Sequence, residues 1–178
     1  MQTQAFSLVA LSFYLFQISW TSTYLYAAEI STNDKVIWSA NGKSSMKIIG
    51  DSRIIEMEEN VEISQGTMKI KGDFAVIEYL VSTGELQKIL VEGEPVRYQQ
   101  RIGLSNDLAS GTSASLSIDK ETGDTSTNAI SLITLVGNAT LQSPSANMQC
   151  AAIIYAAELD LIREAEGPCK GELESSKE

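Results

Sequence analysis

The sequence contains no histidine and only two cysteines, Cys150 and Cys169. Without histidine, the commonest general base and metal ligand is missing. Two cysteines remote from any carboxylate cluster do not make a zinc site. Charge is absent too: from Met1 through Ala28 no side chain is ionisable as an acid or a base apart from tyrosine. Basic residues are scarce throughout, 13 Lys and Arg against 23 Asp and Glu, for a net charge of −10 and a pI near 4.5. That balance excludes nucleic acid as a partner and excludes polybasic docking on a membrane. The chain is expected to bind rather than to catalyse, with no cofactor and no metal.

The uncharged start contains the apolar run Phe6 to Trp20, FSLVALSFYLFQISW, followed by the small residues Ala27 and Ala28 before Glu29. Two readings fit. A signal peptide over residues 1–28 would be removed after Ala28. An uncleaved membrane anchor is the other, although the run falls short of the roughly 20 residues that span a bilayer comfortably. Both send the rest of the chain out of the cytoplasm. In an oxidising compartment an even cysteine count points to one disulfide, Cys150–Cys169, worth roughly 3 kcal/mol in the chain-entropy model. Two free thiols are the alternative.

What the sequence does have is repetition with a period of about 39 residues. Asp73-x-Ala75-x-Ile77-x-Tyr79 returns as Thr112-x-Ala114-x-Leu116-x-Ile118, then as Ala151-x-Ile153-x-Tyr155, and is preceded by Asp34-x-Val36-x-Trp38. Gly72 corresponds to Gly111 and Cys150, and Asn60-Val61-Glu62-Ile63 to Asn138-Ala139-Thr140-Leu141 at twice the period. Apolar and polar residues alternate within the units, as in Met68-Lys69-Ile70-Lys71, which is the pattern of half-buried strands. Turn formers punctuate them at Asn41-Gly42, Gly50-Asp51, Gln65-Gly66, Thr83-Gly84, Gly93-Glu94-Pro95, Gly123-Asp124 and Gly137-Asn138. A dozen or more strands of five to seven residues are predicted, with Tyr155 to Glu166 read as strand from its repeat position.

The apolar face falls on even numbers at Met68 and Ile70 but on odd ones at Ala75 and Ile77. An inserted residue is needed to switch faces, so Gly72-Asp73 is the expected bulge or corner. If it recurs at Gly111 and Cys150, the sheet folds along one line around an apolar channel. Ile63, Met68, Ile70, Ala75, Ile77, Tyr79, Leu116, Ile118 and Leu141 are the predicted lining. The first rung is expected near Lys35 to Ser39 and the last near Ala152 to Ile162, both short of the prolines and lysines that protect sheet edges.

Other motifs carry little. Gly42-Lys43-Ser44 lacks the glycine a phosphate loop needs, since Ile37 stands in its place. Glu56, Glu58 and Glu59 read as a solvated strand edge rather than a hydrolytic carboxylate pair. Lys69, Lys71, Arg97 and Arg101 would meet phosphates at a rim or be plain solvated faces.

Residues Glu59 to Asp73, ENVEISQGTMKIKGD, resemble the G-N-V-x-(I/V)-x-Q-G-x-(I/L)-x-(I/L)-x-A-D segment of LptA/OstA-like periplasmic lipopolysaccharide transport proteins. Gly93 to Val96, Gly111 to Asp119 and Leu135 to Leu141 are similar to that family in the same order. The resemblance implies an all-β, open-ended twisted β-jelly roll, here built from the 39-residue repeats over residues 29–166, followed by a charged C-terminal tail at 167–178. It implies a periplasmic carrier that shelters the lipid A acyl chains of lipopolysaccharide. It implies edge-strand contacts with inner-membrane and outer-membrane transport components, and head-to-tail self-association. A membrane-anchored partner in the same system and a ligand-free structural repeat protein are the competing expectations. Glu59 stands where the family carries Gly, which leaves the turn there open, and the cysteine pair lies outside the family pattern.

Overall fold

The computed structural model describes residues 35–103, 106–121 and 130–173. The expected signal peptide and the turn at Gly123-Asp124 lie outside them. Strand runs that alternate apolar and polar side chains bury one face and satisfy their backbone only by lateral pairing. Among the described residues ten strands do so: β1 (Ile37–Ser39), β2 (Ser44–Ile49), β3 (Ser52–Gln65), β4 (Met68–Leu80), β5 (Leu86–Ile102), β6 (Asp107–Glu121), β7 (Ile130–Gln142), β8 (Ala146–Ala156), β9 (Leu161–Glu166) and β10 (Lys170–Leu173). They form one antiparallel sheet in the order β1-β3-β4-β5-β6-β7-β8-β10, with β2 also on β3 and β9 also on β8.

The predicted dozen short strands are instead six long ones, β3 to β8, each of which bends and serves as two. The ladder shifts register at Glu58/Val61 in β3, Lys71/Phe74 in β4, Glu92/Val96 in β5, Thr112/Ser115 in β6 and Val136/Ala139 in β7. These bends line up as a single crease; of the predicted corners Gly72 falls on it, while Gly111 and Cys150 border it on the lower-arm side. At Gly72 the crease is so tight that a Cβ would stand 2.5 Å from Val91 Cγ1 and 2.7 Å from the Glu92 carbonyl oxygen.

The crease divides the sheet into two arms. The upper arm contains β2, β9 and the segments 52–58, 74–80, 86–92, 115–121, 130–136 and 152–156. The lower arm contains β1, β10 and the segments 61–65, 68–71, 96–102, 107–112, 139–142 and 146–150. Their inner faces bury one common hydrophobic cluster, which draws on both arms. This open, bent, antiparallel sheet is the expected β-jelly roll.

Tyr155 to Glu166 is strand at both ends, interrupted by a 3-10 turn at Ala157–Leu159. The sheet also runs beyond Glu166, where sequence analysis ended the domain, because β10 pairs with β8 from Lys170 to Leu173. The terminal rung is therefore β9 with β10, not the Ala152–Ile162 segment, which β9 covers.

Candidate functional site

The inner face is continuous across the strands because directly paired residues share a face. In the upper arm one row runs Ile55, Ile77, Ile89, Ile118, Ile133 and Tyr155. In the lower arm another runs Trp38, Ile63, Ile70, Tyr98, Gly111 and Leu141. All nine residues predicted to line the interior lie on this face. Ile63, Met68, Ile70, Ala75, Ile77, Leu116, Ile118 and Leu141 are buried in the common cluster, and Tyr79 packs against it half-buried. The sheet brings them together with residues that sequence reasoning missed, among them Ile89, Val91, Tyr98, Ile133 and Leu135, each at most 2% exposed.

On the lower half of β6 the inner positions are small, Ala109, Gly111 and Ser113. A Cβ at Gly111 would come within 3.0 Å of Leu135 Cδ1 from the other arm, so these small residues make room for bulky ones opposite. Among the described residues Ser113 is the one buried polar residue, and its hydroxyl donates to the Ser115 carbonyl at 2.7 Å. Two phenols also reach inward. Tyr98 donates to Gln100 Oε1 at 2.9 Å and Tyr155 to Asp160 Oδ1 at 2.8 Å. Burial pushes both phenols up, and for Tyr155 the Asp160 hydrogen bond adds to it, so both stay neutral at physiological pH. The interior is thus apolar and uncharged.

The two ends of the sheet leave this interior unfinished. At the first end Trp38, Met46 and Ile48 continue the inner face while 38%, 59% and 59% exposed, and Trp38 lines a cavity of 260 Å³ together with Glu62, Ile63, Ile70 and Lys71. At the other end Ile162 on β9 packs against the core and Leu173 on β10 is 76% exposed. The ends differ in charge. Residues 35–49 carry Lys35, Lys43 and Lys47 and no carboxylate, whereas residues 157–173 carry Glu158, Asp160, Glu164, Glu166 and Glu172 against Arg163 and Lys170.

The remaining candidates fall elsewhere. Lys69, Lys71, Arg97 and Arg101 alternate with inner residues and face outward from the lower arm, with Lys71 paired to Glu62. Glu56 bonds Lys47 at 2.6 Å, and that hydrogen bond and charge hold its carboxyl below the usual value. Cys150, 3% exposed at the crease of β8, is bonded to Cys169, with Cα atoms 4.2 Å apart. Among the described residues no group of three or more His, Cys, Asp or Glu gathers into a metal site.

Residues 44–160 match the family model described as LptA/(LptD N-terminal domain) LPS transport protein. No curated protein matches the chain. Among solved structures, the chain resembles LptH, described as the LptA-homologous periplasmic component of the conserved lipopolysaccharide transport device of Pseudomonas aeruginosa. The TM-score is 0.62 at 10% identity, over 81% of this chain and 98% of that one.

Proposed function

Because the chain belongs to the family of LptA and LptD N-terminal-domain lipopolysaccharide transport proteins, we propose that it is a periplasmic carrier whose interior shelters the acyl chains of lipopolysaccharide. The observation that carries the reading is the uncharged inner face shared by both arms and left open at each end of the sheet. Each apolar Å² withdrawn from water contributes about 25 cal/mol, so several acyl chains supply a large driving force without any specific polar contact. The anionic headgroup stays in water, which suits a protein of net charge −10. In the cargo-free chain the arms close on each other. Acyl chains enter by parting them and replacing side-chain contacts with equivalent apolar ones.

Neighbours in the transport path join by strand addition at the two edges, and copies of the chain join head to tail. The basic first end and the acidic last end are complementary in charge, which sets orientation and speeds encounter. A contact between two different edges propagates rather than closing. Sedimentation of the mature protein over a wide concentration range should show growing assemblies that shrink as salt is raised. A strict monomer under all conditions would contradict strand addition between copies.

The cargo is tested separately. A photoreactive residue at Leu116 should crosslink to lipopolysaccharide, and a folded Ile77→Glu variant should lose that crosslink. Unchanged crosslinking in folded Ile77→Glu would sink the assignment. The apolar run Phe6–Trp20 favours one further reading, the membrane-anchored partner of the same system. A mature chain beginning at Glu29 by intact mass supports the carrier, and an intact Met1 supports the anchored form.

A further inference from the structure

The Cys150–Cys169 bond lies where the chain crosses from the upper arm to the lower one. β9 ends at Glu166 on the upper arm, Gly167-Pro168-Cys169 spans the crease, and β10 begins at Lys170 on the lower arm. The two sulfurs differ in access. Cys150 is 3% exposed within the core, whereas Cys169 is exposed. Over the bond lies an open surface cavity of 380 Å³, walled by Asn138, Gln149, Pro168 and Lys170 and floored by both cysteines. An extended thiol-bearing loop can therefore reach the outer sulfur without any strand moving first.

The strand beyond the bond has little else to hold it. β10 is four residues long, all exposed, and it pairs with β8 alone, from Ala146 to Gln149. So short a segment at the end of a sheet does not repay its ordering entropy through exposed backbone hydrogen bonds. Covalent attachment is what keeps it in place.

We propose that the Cys150–Cys169 bond is a thiol–disulfide exchange site for a dithiol reductase, and that its reduction releases β10 and uncovers the lower-arm edge of β8. The reductase thiolate attacks Cys169 Sγ, the S–S bond breaks, and its electron pair leaves on Cys150 Sγ, which takes up a proton. The second reductase thiol then attacks the mixed disulfide, frees Cys169 as a thiol, and leaves the reductase oxidised. Two electrons and two protons are transferred in all. With β10 gone, unpaired N–H and C=O groups of residues 146–149 become a template for a strand from another chain. The inference concerns the edge and is independent of the cargo.

Hydrogen exchange of the full chain tests it, before and after reduction with dithiothreitol. Residues 170–173 and 146–149 should exchange at least tenfold faster once the bond is reduced, while 132–136 and 153–156 stay protected and change only by the global stability that the cross-link supplied. Cys169→Ser should show the same local loss without reductant. Full protection of 170–173 in both the reduced protein and Cys169→Ser would overturn the latch. A bond that resists dithiothreitol until the whole sheet unfolds would overturn the exchange site.

Discussion

The two ends of the sheet perform the same topological task by different chemistry. At each end a short connector carries the chain over the crease between the arms. At the first end Ala40–Lys43 links β1 to β2 and is held by three backbone hydrogen bonds: Asn41 N–H to the Glu59 carbonyl at 2.8 Å, Gly42 N–H to Glu58 at 2.9 Å, and Glu58 N–H to Lys43 at 3.0 Å. At the last end Gly167–Cys169 links β9 to β10 and is held by the disulfide. The first end depends on geometry, so it is sensitive to the shape of the crease. The last depends on a covalent bond, so it is sensitive to redox state.

Removing the covalent bond should have the largest effect. Cys169→Ser takes away a cross-link between residues 19 apart, worth up to about 3 kcal/mol, or roughly 6–12 °C in melting temperature for a domain of this size. Differential calorimetry checks it. A loss under 1 kcal/mol would mean that the two ends are equally secured without covalent help.

Gly42→Ala attacks the other connector. Its Cβ would stand 2.7 Å from the Glu58 carbonyl oxygen, the backbone atom that accepts the Gly42 N–H hydrogen bond. We expect a cost of about 2 kcal/mol and faster hydrogen exchange confined to β1 and β2. Spreading of that exchange to β9 and β10 would show that the ends are coupled and the comparison is wrong.

The crease itself provides a smaller test. In β7 it is made by Gly137 and Asn138 at φ 84 and 49, and in β3 by Glu59 and Asn60 at φ 64 and 48. The turn left open by Glu59 therefore keeps the same left-handed form, with a side chain that dislikes it. Glu59→Gly should stabilise the protein by about 0.5–1 kcal/mol, since relief of strain outweighs the added freedom of the unfolded chain. Chemical denaturation reads it, and a destabilised Glu59→Gly would refute the strain.

These bends also explain what was legible beforehand. The parity switch from Ile70 to Ala75 gave away the crease at Gly72, and the turn formers Gly137-Asn138 stand where the structure has two left-handed residues. The repeat led to β4, β6 and β8, because one period of about 39 residues is one hairpin. It hid β5, whose bend at Gly93–Pro95 comes earlier than the position matching Asn60 and Asn138, so Ile89, Val91 and Tyr98 went unread. β10 was invisible for another reason. Lys170-Gly-Glu-Leu173 has no alternation of its own, and its strand form comes from β8 and the disulfide rather than from local preference.

The smallest expected effect separates the ends by pH. Beside β2, the hydrogen bond and charge of Lys47 hold the Glu56 carboxyl below its ordinary value of 4.5. A carboxylate depressed in the folded state contributes stability that is complete above the unfolded value and is lost as pH falls through the lower folded one. Glu56 lies at the surface with its side chain 37% exposed, so the contribution is small and salt-screened. Acidification below pH 4.5 should therefore release Lys47 and speed exchange in β2 and its partner residues 52–57 before the disulfide-held end responds. A carboxyl-resolved NMR titration reads the midpoint directly. A Glu56 midpoint at or above 4.5, or loosening of β10 before β2, would show that the Lys47 pair does not hold the first edge.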